Sequence, residues 1–211
     1  LKSPTPIRCQ KKLIEAAYTQ TELPVWTEDE AGPFETKPYP GYSWQPQGEP
    51  AKYPHEYIKN GTAKMITLFC PVTGELRVKG VTSTANKVLH PWLEEQLEEI
   101  VGALPPPLPL SKAENKALWE KWQAGLSVAP GLGEDLPPLR LLLVHDNLSG
   151  HSTPTYIIWL CEHGIMPLFT PLGGSWLNMA ESIQPIIISR ALGGTYPKEP
   201  QEIIEWLRTD C

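Results

Sequence analysis

The spacing of hydrophobic and polar positions changes several times along the chain, and each change marks an element. Residues 8–22 read as a short helix, and LPVWTEDE follows as a strand that runs into three consecutive acids. Residues 31–62 are crowded with Gly, Pro and Tyr, which predicts a loop or an irregular hairpin. KMITLFC, PVTGE and LRVKGV then read as strand, turn and strand, an antiparallel hairpin. Over 85–103, Leu89, Trp92, Leu93, Leu97, Ile100 and Val101 recur at helical spacing, with Pro91 expected to kink or break the helix. Glu94, Glu95, Glu98 and Glu99 form its solvated face. Two proline-rich segments, ALPPPLPL and APGLGEDLPPL, bracket a helix at 111–125 that carries Trp119 and Trp122 as packing anchors. The whole 103–138 stretch is expected to stand off the main core as an excursion.

LRLLLVHDN is apolar without alternation, which predicts burial on both faces in the middle of a mainly parallel sheet. STPTYIIWLCEHG reads as a helix with Pro154 near its first turn and Gly164 as its stop. IMPLFTPL is a further strand, SWLNMAESIQPIIISRAL a helix bent near Pro185, and PQEIIEWLRTD a terminal helix. This order predicts an α/β fold, a mixed sheet flanked by helices, with 1–22 as a helical lead-in and 23–211 as one domain.

Composition narrows the function. No window approaches the roughly 18 apolar residues of a membrane helix, and the start of the chain lacks the apolar middle of a signal peptide. Cys9, Cys70, Cys161 and Cys211 are scattered without a CxxC pair, which argues against structural zinc or a disulfide framework and fits a reducing cytosol. The net charge of −6 lacks the basic excess usual in nucleic-acid binders. Any grip on DNA must come from a local patch, bound metal, or a part outside this chain.

In open α/β sheets, working sites gather at the carboxyl ends of strands. Two predicted strands end in acids, Asp29 and Asp146, and a third acid, Glu181, lies in the helix after the next strand. Three carboxylates brought together repel one another unless a cation sits among them. Oxygen ligands favour Mg²⁺ or Mn²⁺, and two such ions activate a water or hydroxyl and stabilise a leaving phosphodiester oxygen. Plainer readings stand beside this one. Asp146-Asn147 is a common turn pair, and Asn178-x-x-Glu181 has capping-box spacing. Strand alternation puts Glu28 and Glu30 on the face opposite Asp29, and a one-residue change of register would exchange them. His145 reads as a sheet-packing residue. His151 begins the next helix and could support a ligand or contact a phosphate. Asn147 and Asn178 could orient ligands or water, or serve as turn and cap. Lys37, Lys52 and Lys59 lie in the 31–62 loop, where they could reach DNA or simply be solvated.

Three blocks carry a resemblance. TEDEAG, VHDNLSGH and GGSWLNMAES look like the three acidic blocks of mariner-type transposases and their bacterial insertion-sequence relatives. Thirty-four residues separate Asp146 from Glu181, the spacing typical of that group. The resemblance implies a ribonuclease H-like fold and an Asp-Asp-Glu triad of Asp29, Asp146 and Glu181, with Glu30 as acidic neighbour of the first. It implies two divalent metals, Mg²⁺ or Mn²⁺, that cut double-stranded DNA at transposon ends and join the freed 3′ hydroxyl to a target. It further implies a homodimer in the DNA complex and a bacterial cytoplasmic, nucleoid-associated setting. Met179 stands where the family often has proline, and residues 1–22 are too few for the helix-turn-helix region that usually precedes the first block. An inactive transposase-derived scaffold and a related metal-dependent nuclease are the alternatives.

Overall fold

A strand with no polar face must be covered on both sides, and the apolar run at 141–145 is placed accordingly. The computed structural model describes residues 6–42, 44–124, 126 and 130–209; residue 125, predicted as the end of a helix, Asp210 of the predicted terminal helix, and Cys211 lie outside them. The strands are β1 (Val25–Glu35), β2 (Thr62–Phe69), β3 (Leu76–Val81), β4 (Leu141–His145) and β5 (Ile165–Phe169). They form one mixed sheet in the order β3-β2-β1-β4-β5, antiparallel on the hairpin side and parallel from β1 to β5. The helices are α1 (Pro6–Thr19), α2 (Asn86–Ala103), α3 (Lys112–Gln123), α4 (Pro154–Glu162), α5 (Ala180–Leu192) and α6 (Pro200–Thr209).

Alternate residues of β4 enter two cores. Leu141 and Leu143 join Trp26, Ile66 and Leu68 beneath Leu89, Leu93 and Leu97 of α2 and Leu160 of α4. Leu142 and Val144 join Val25, Met166 and Leu168 beneath Ile14 and Ala17 of α1 and Trp119 and Trp122 of α3. A third cluster packs Phe34, Ala63 and Met65 against Ile187 and Leu192 of α5 and Ile203 and Leu207 of α6. Gly80 of β3 lets α6 lie close: a Cβ there would stand 2.7 Å from the Ile204 Cα. Gly164 is the predicted stop of α4, at φ +73°.

The structure corrects the sequence reading in three places. β1 does not end at residue 30 but continues through a bulge between Ala31 and Phe34, with Glu35 still paired to Thr62. Pairing with β2 and a core seat for Phe34 hold the segment extended despite its Gly-Pro step. Pro91 lies inside α2 without breaking it, because it removes one backbone bond while Leu89, Trp92 and Leu93 stay buried around it. The 103–138 segment does not stand off the core. Trp119 and Trp122 are buried in it, and the Trp119 Nε1–H donates to the Pro137 carbonyl at 3.0 Å. Asn115 ties down the returning proline-rich chain, donating to the Leu136 and Pro137 carbonyls and accepting from the Leu139 N–H. Prolines offer no N–H for a ladder, so a side-chain amide takes over that role.

Trp119→Ala should therefore cost roughly 3–5 kcal/mol in urea unfolding. Lys112→Ala, which removes an exposed ion pair with Asp135, should cost under about 1 kcal/mol.

Candidate metal centre

Parallel pairing sets the first two acids side by side. Val25 lies beside Leu142, Trp26 beside Leu143 and Thr27 beside Val144. Carried two residues further, the same register brings Asp29 to the level of Asp146 at the carboxyl edge of the sheet. Alternation along β1 turns Asp29 toward α5, and Glu28 and Glu30 to the other face, where both meet His151.

The start of α5 is fastened to β1 by two long-range bonds. Asn178 Nδ2 donates to the Glu28 carbonyl at 2.7 Å, and Gln184 Nε2 donates to Asp29 Oδ2 at 3.1 Å. The capping-box alternative does not form: α5 begins at Ala180, Met179 is the cap, and Asn178 is committed to β1 and to the Ala180 N–H. Glu181 sits in the first turn of α5, three positions before Gln184, and its charge reaches Asp29. α5 runs on through Pro185, which has no N–H to return to the Glu181 carbonyl.

Asp29 is buried and carries the electrostatic strain of the group. Burial first, then the charges of Glu28 and Asp146, and last Glu181, push its carboxyl up to about 7, against a bond from the Glu30 N–H. Asp146 is half-exposed and behaves oppositely. Its Oδ1 faces His151 Nδ1 at 2.8 Å and accepts from the Leu148 N–H at 2.8 Å. The His151 bond foremost, with that N–H, holds Asp146 below the usual carboxylate range despite partial burial. Asp146 is thus a turn residue and a member of the acidic group at once.

His151 does not begin a helix, as the sequence suggested; it lies in the turn ahead of α4 and is fully buried. Its ring is out of contact with solvent and its Nδ1 faces Asp146. Its Nε2 lies 2.8 Å from Glu28 Oε2 and 3.6 Å from Glu30 Oε1. The contact with Glu28 is oblique, so it is an ion pair rather than an aligned hydrogen bond. Burial disfavours the imidazolium, but the Glu28 charge and the bond to Asp146 outweigh it and raise the His151 pKa far above its ordinary value. Burial raises the Glu28 carboxyl, with His151 opposing. His145 is buried against Phe169 as a sheet-packing residue, its ring centroid 5.0 Å from that of His151 in a T-shaped arrangement, and burial holds it neutral. The sequence reading treated Glu28 as an off-face neighbour and missed its ion pair; the available signal was the alternation that sends residues 28 and 30 to one side.

Asn147 donates its amide to the Thr170 carbonyl, joining the ends of β4 and β5. Lys37 and Lys59 both pair with Glu35, and Lys52 is exposed. A cavity of about 540 Å³ lies by the start of β4 among Leu108, Asn115 and Pro137, and Asp29, Asp146 and Glu181 do not line it.

The sheet order and flanking helices are those of a ribonuclease H-like fold. No protein-family model and no curated protein matches the chain. Among solved structures, it is similar to the Mos1 transposase paired-end complex with left transposon end, at 14% identity and TM-score 0.54, covering 98% of this chain and 55% of that one. The Mos1 mariner paired end complex with Mn matches at 14% identity and TM-score 0.55, with the same coverage. A pre-cleavage Mos1 transpososome matches at 15% identity and TM-score 0.53, covering 94% and 51%. The chain spans about half the length of these transposase chains.

Asp29 titrates higher in the folded protein than its ordinary 3.8. Its contribution to stability is therefore full below pH ~4 and is lost as pH rises toward about 7, on the order of 4 kcal/mol at about 1.4 kcal/mol per pH unit. Metal-free Asp29→Asn should gain stability relative to wild type between pH 5 and 8, as read from paired urea unfolding curves.

Proposed function

We propose that this chain is the catalytic domain of a DNA transposase, which cuts phosphodiester bonds at transposon ends and joins the freed 3′ hydroxyl to target DNA. The reading is supported by the charges of Asp146 and Glu181, both of which reach Asp29 at the carboxyl edge of a sheet whose fold is shared with Mos1 transposase. In this reading the three carboxylates hold Mg²⁺ or Mn²⁺, two ions at full loading. The donor set is all oxygen, and a cation would offset the burial and the neighbouring negative charges that together lift Asp29 to about 7. When bound, the ions supply the positive charge that activates an attacking water or hydroxyl and stabilises the leaving oxygen.

The protein's own part is positioning. β1 and β4 hold Asp29 and Asp146 on rigid, buried strands. His151 and the Leu148 N–H occupy Oδ1 of Asp146, so its other oxygen is the one directed to the site. Gln184 fixes Asp29 from the α5 side. A net charge of −6 gives the chain no general attraction for phosphates, so its contact with DNA would centre on the metal-bridged acids. Double-stranded DNA and a second copy of the chain are the partners this reading expects, in the bacterial cytoplasm beside the nucleoid. No described helix is long and apolar enough to cross a membrane.

With Mn²⁺, the purified chain should nick supercoiled plasmid, and Asp146→Asn and Glu181→Gln should each slow nicking by roughly 100-fold or more. Mn²⁺ binding without any nicking would favour an inactive transposase-derived scaffold. Nicking without transfer of a supplied 3′-hydroxyl end would favour a plain nuclease.

A further inference from the structure

The face of β1 opposite Asp29 holds a second group of metal-binding side chains. Glu28, His145 and His151 each bring one ligand atom to within 4.8 Å of the others, and all three residues are buried. Buried polar atoms are nearly always paired, yet here several neighbours are not. Glu28 Oε1, Glu30 Oε1, both ring nitrogens of His145 and Nε2 of His151 lie out of solvent without a hydrogen-bond partner. The ion contact between His151 and Glu28 uses the other Glu28 oxygen and leaves His145 untouched.

We infer that Glu28, His145 and His151 form a buried site for a transition-metal ion of the Zn²⁺ type. Two imidazoles and one carboxylate are a donor set that Zn²⁺ accepts and that Mg²⁺, which prefers oxygen and water, does not. Three protein ligands leave a fourth position, which Glu30 or a water can fill. His151 is already oriented for the task. Its Nε2 faces Glu28, while its Nδ1 is bonded to Asp146 at 2.8 Å, the carboxylate–histidine arrangement that fixes the tautomer of a metal-bound histidine. On binding, the ion takes the place of the proton on His151 Nε2, which leaves to solvent. The site is separate from the Asp29, Asp146 and Glu181 group and does not rest on the transposase reading. It touches that group through the single bond from His151 to Asp146.

The test is a titration of chelator-stripped protein with Co²⁺, whose visible absorption distinguishes four-coordinate nitrogen-bearing sites from six-coordinate oxygen sites. One equivalent should give the intense four-coordinate spectrum, and Zn²⁺ should abolish it. Glu28→Gln and His145→Gln should each weaken Co²⁺ binding by ~10-fold or more, whereas Glu181→Gln should leave it within roughly threefold of wild type. Circular dichroism checks that each variant folds; if His145→Gln does not, Glu28→Gln decides. Loss of the spectrum in Glu181→Gln with retention in Glu28→Gln would place the ion among the strand-end acids and overturn the inference. So would the absence of a four-coordinate spectrum in folded wild type, which would leave buried water as the partner of these atoms.

Discussion

Carboxylates at the end of a strand buried on both faces have little freedom to move apart. That constraint organises this molecule. β4 is covered by α2 and α4 on one side and by α1 and α3 on the other, so its register against β1 is set by packing along its whole length. A shift of one residue would turn Asp146 away from the face that Asp29 occupies. The acids at its edge are held together by hydrophobic forces acting several residues away. The strain emerges in Asp29, where burial and neighbouring charge favour the neutral acid.

β1 divides two polar chambers of different character. On the α5 side, Asp29 meets Gln184 and the charge of Glu181 in a setting of oxygen donors. On the α4 side, Glu28 and Glu30 meet His151 and His145 among nitrogens and buried aromatic surface. A buried ion pair repays its desolvation only when its geometry is good, and the oblique Glu28–His151 contact falls short of that. Stability alone does not account for such a group, whereas fixing the orientation of Asp146 gives it a use.

Much of the architecture was legible in the residues because it follows from local pattern. Leu141 to Val144 offer no polar face, so a central buried strand was the available solution, and an acid directly after it had to lie at the sheet edge. Alternation through TEDEAG was enough to separate Asp29 from Glu28 and Glu30. What escaped depends on contacts between distant segments. Nothing around Gly32 and Pro33 announces that Phe34 has a core to fill and that pairing with β2 continues. Trp119 and Trp122 read as anchors, but their target, the far face of β4, is not written beside them. His151 follows a glycine in a polar turn and reads as the start of the next helix; its burial comes from the approach of β1, and Asn178, which could have served as a cap, instead donates to a carbonyl on the same strand.

The bonds that dock α5 on β1 join residues 150 and 155 positions apart. Parallel pairing of β1 with β4 also waits for most of the polypeptide. A chain still emerging from the ribosome therefore carries its first acid long before it has the second or third, and early hairpins such as β2–β3 form without them. Any cutting chemistry on this framework waits until α5 has been made. A product that ends before α5 would lack both Glu181 and the two bonds that dock this helix on β1.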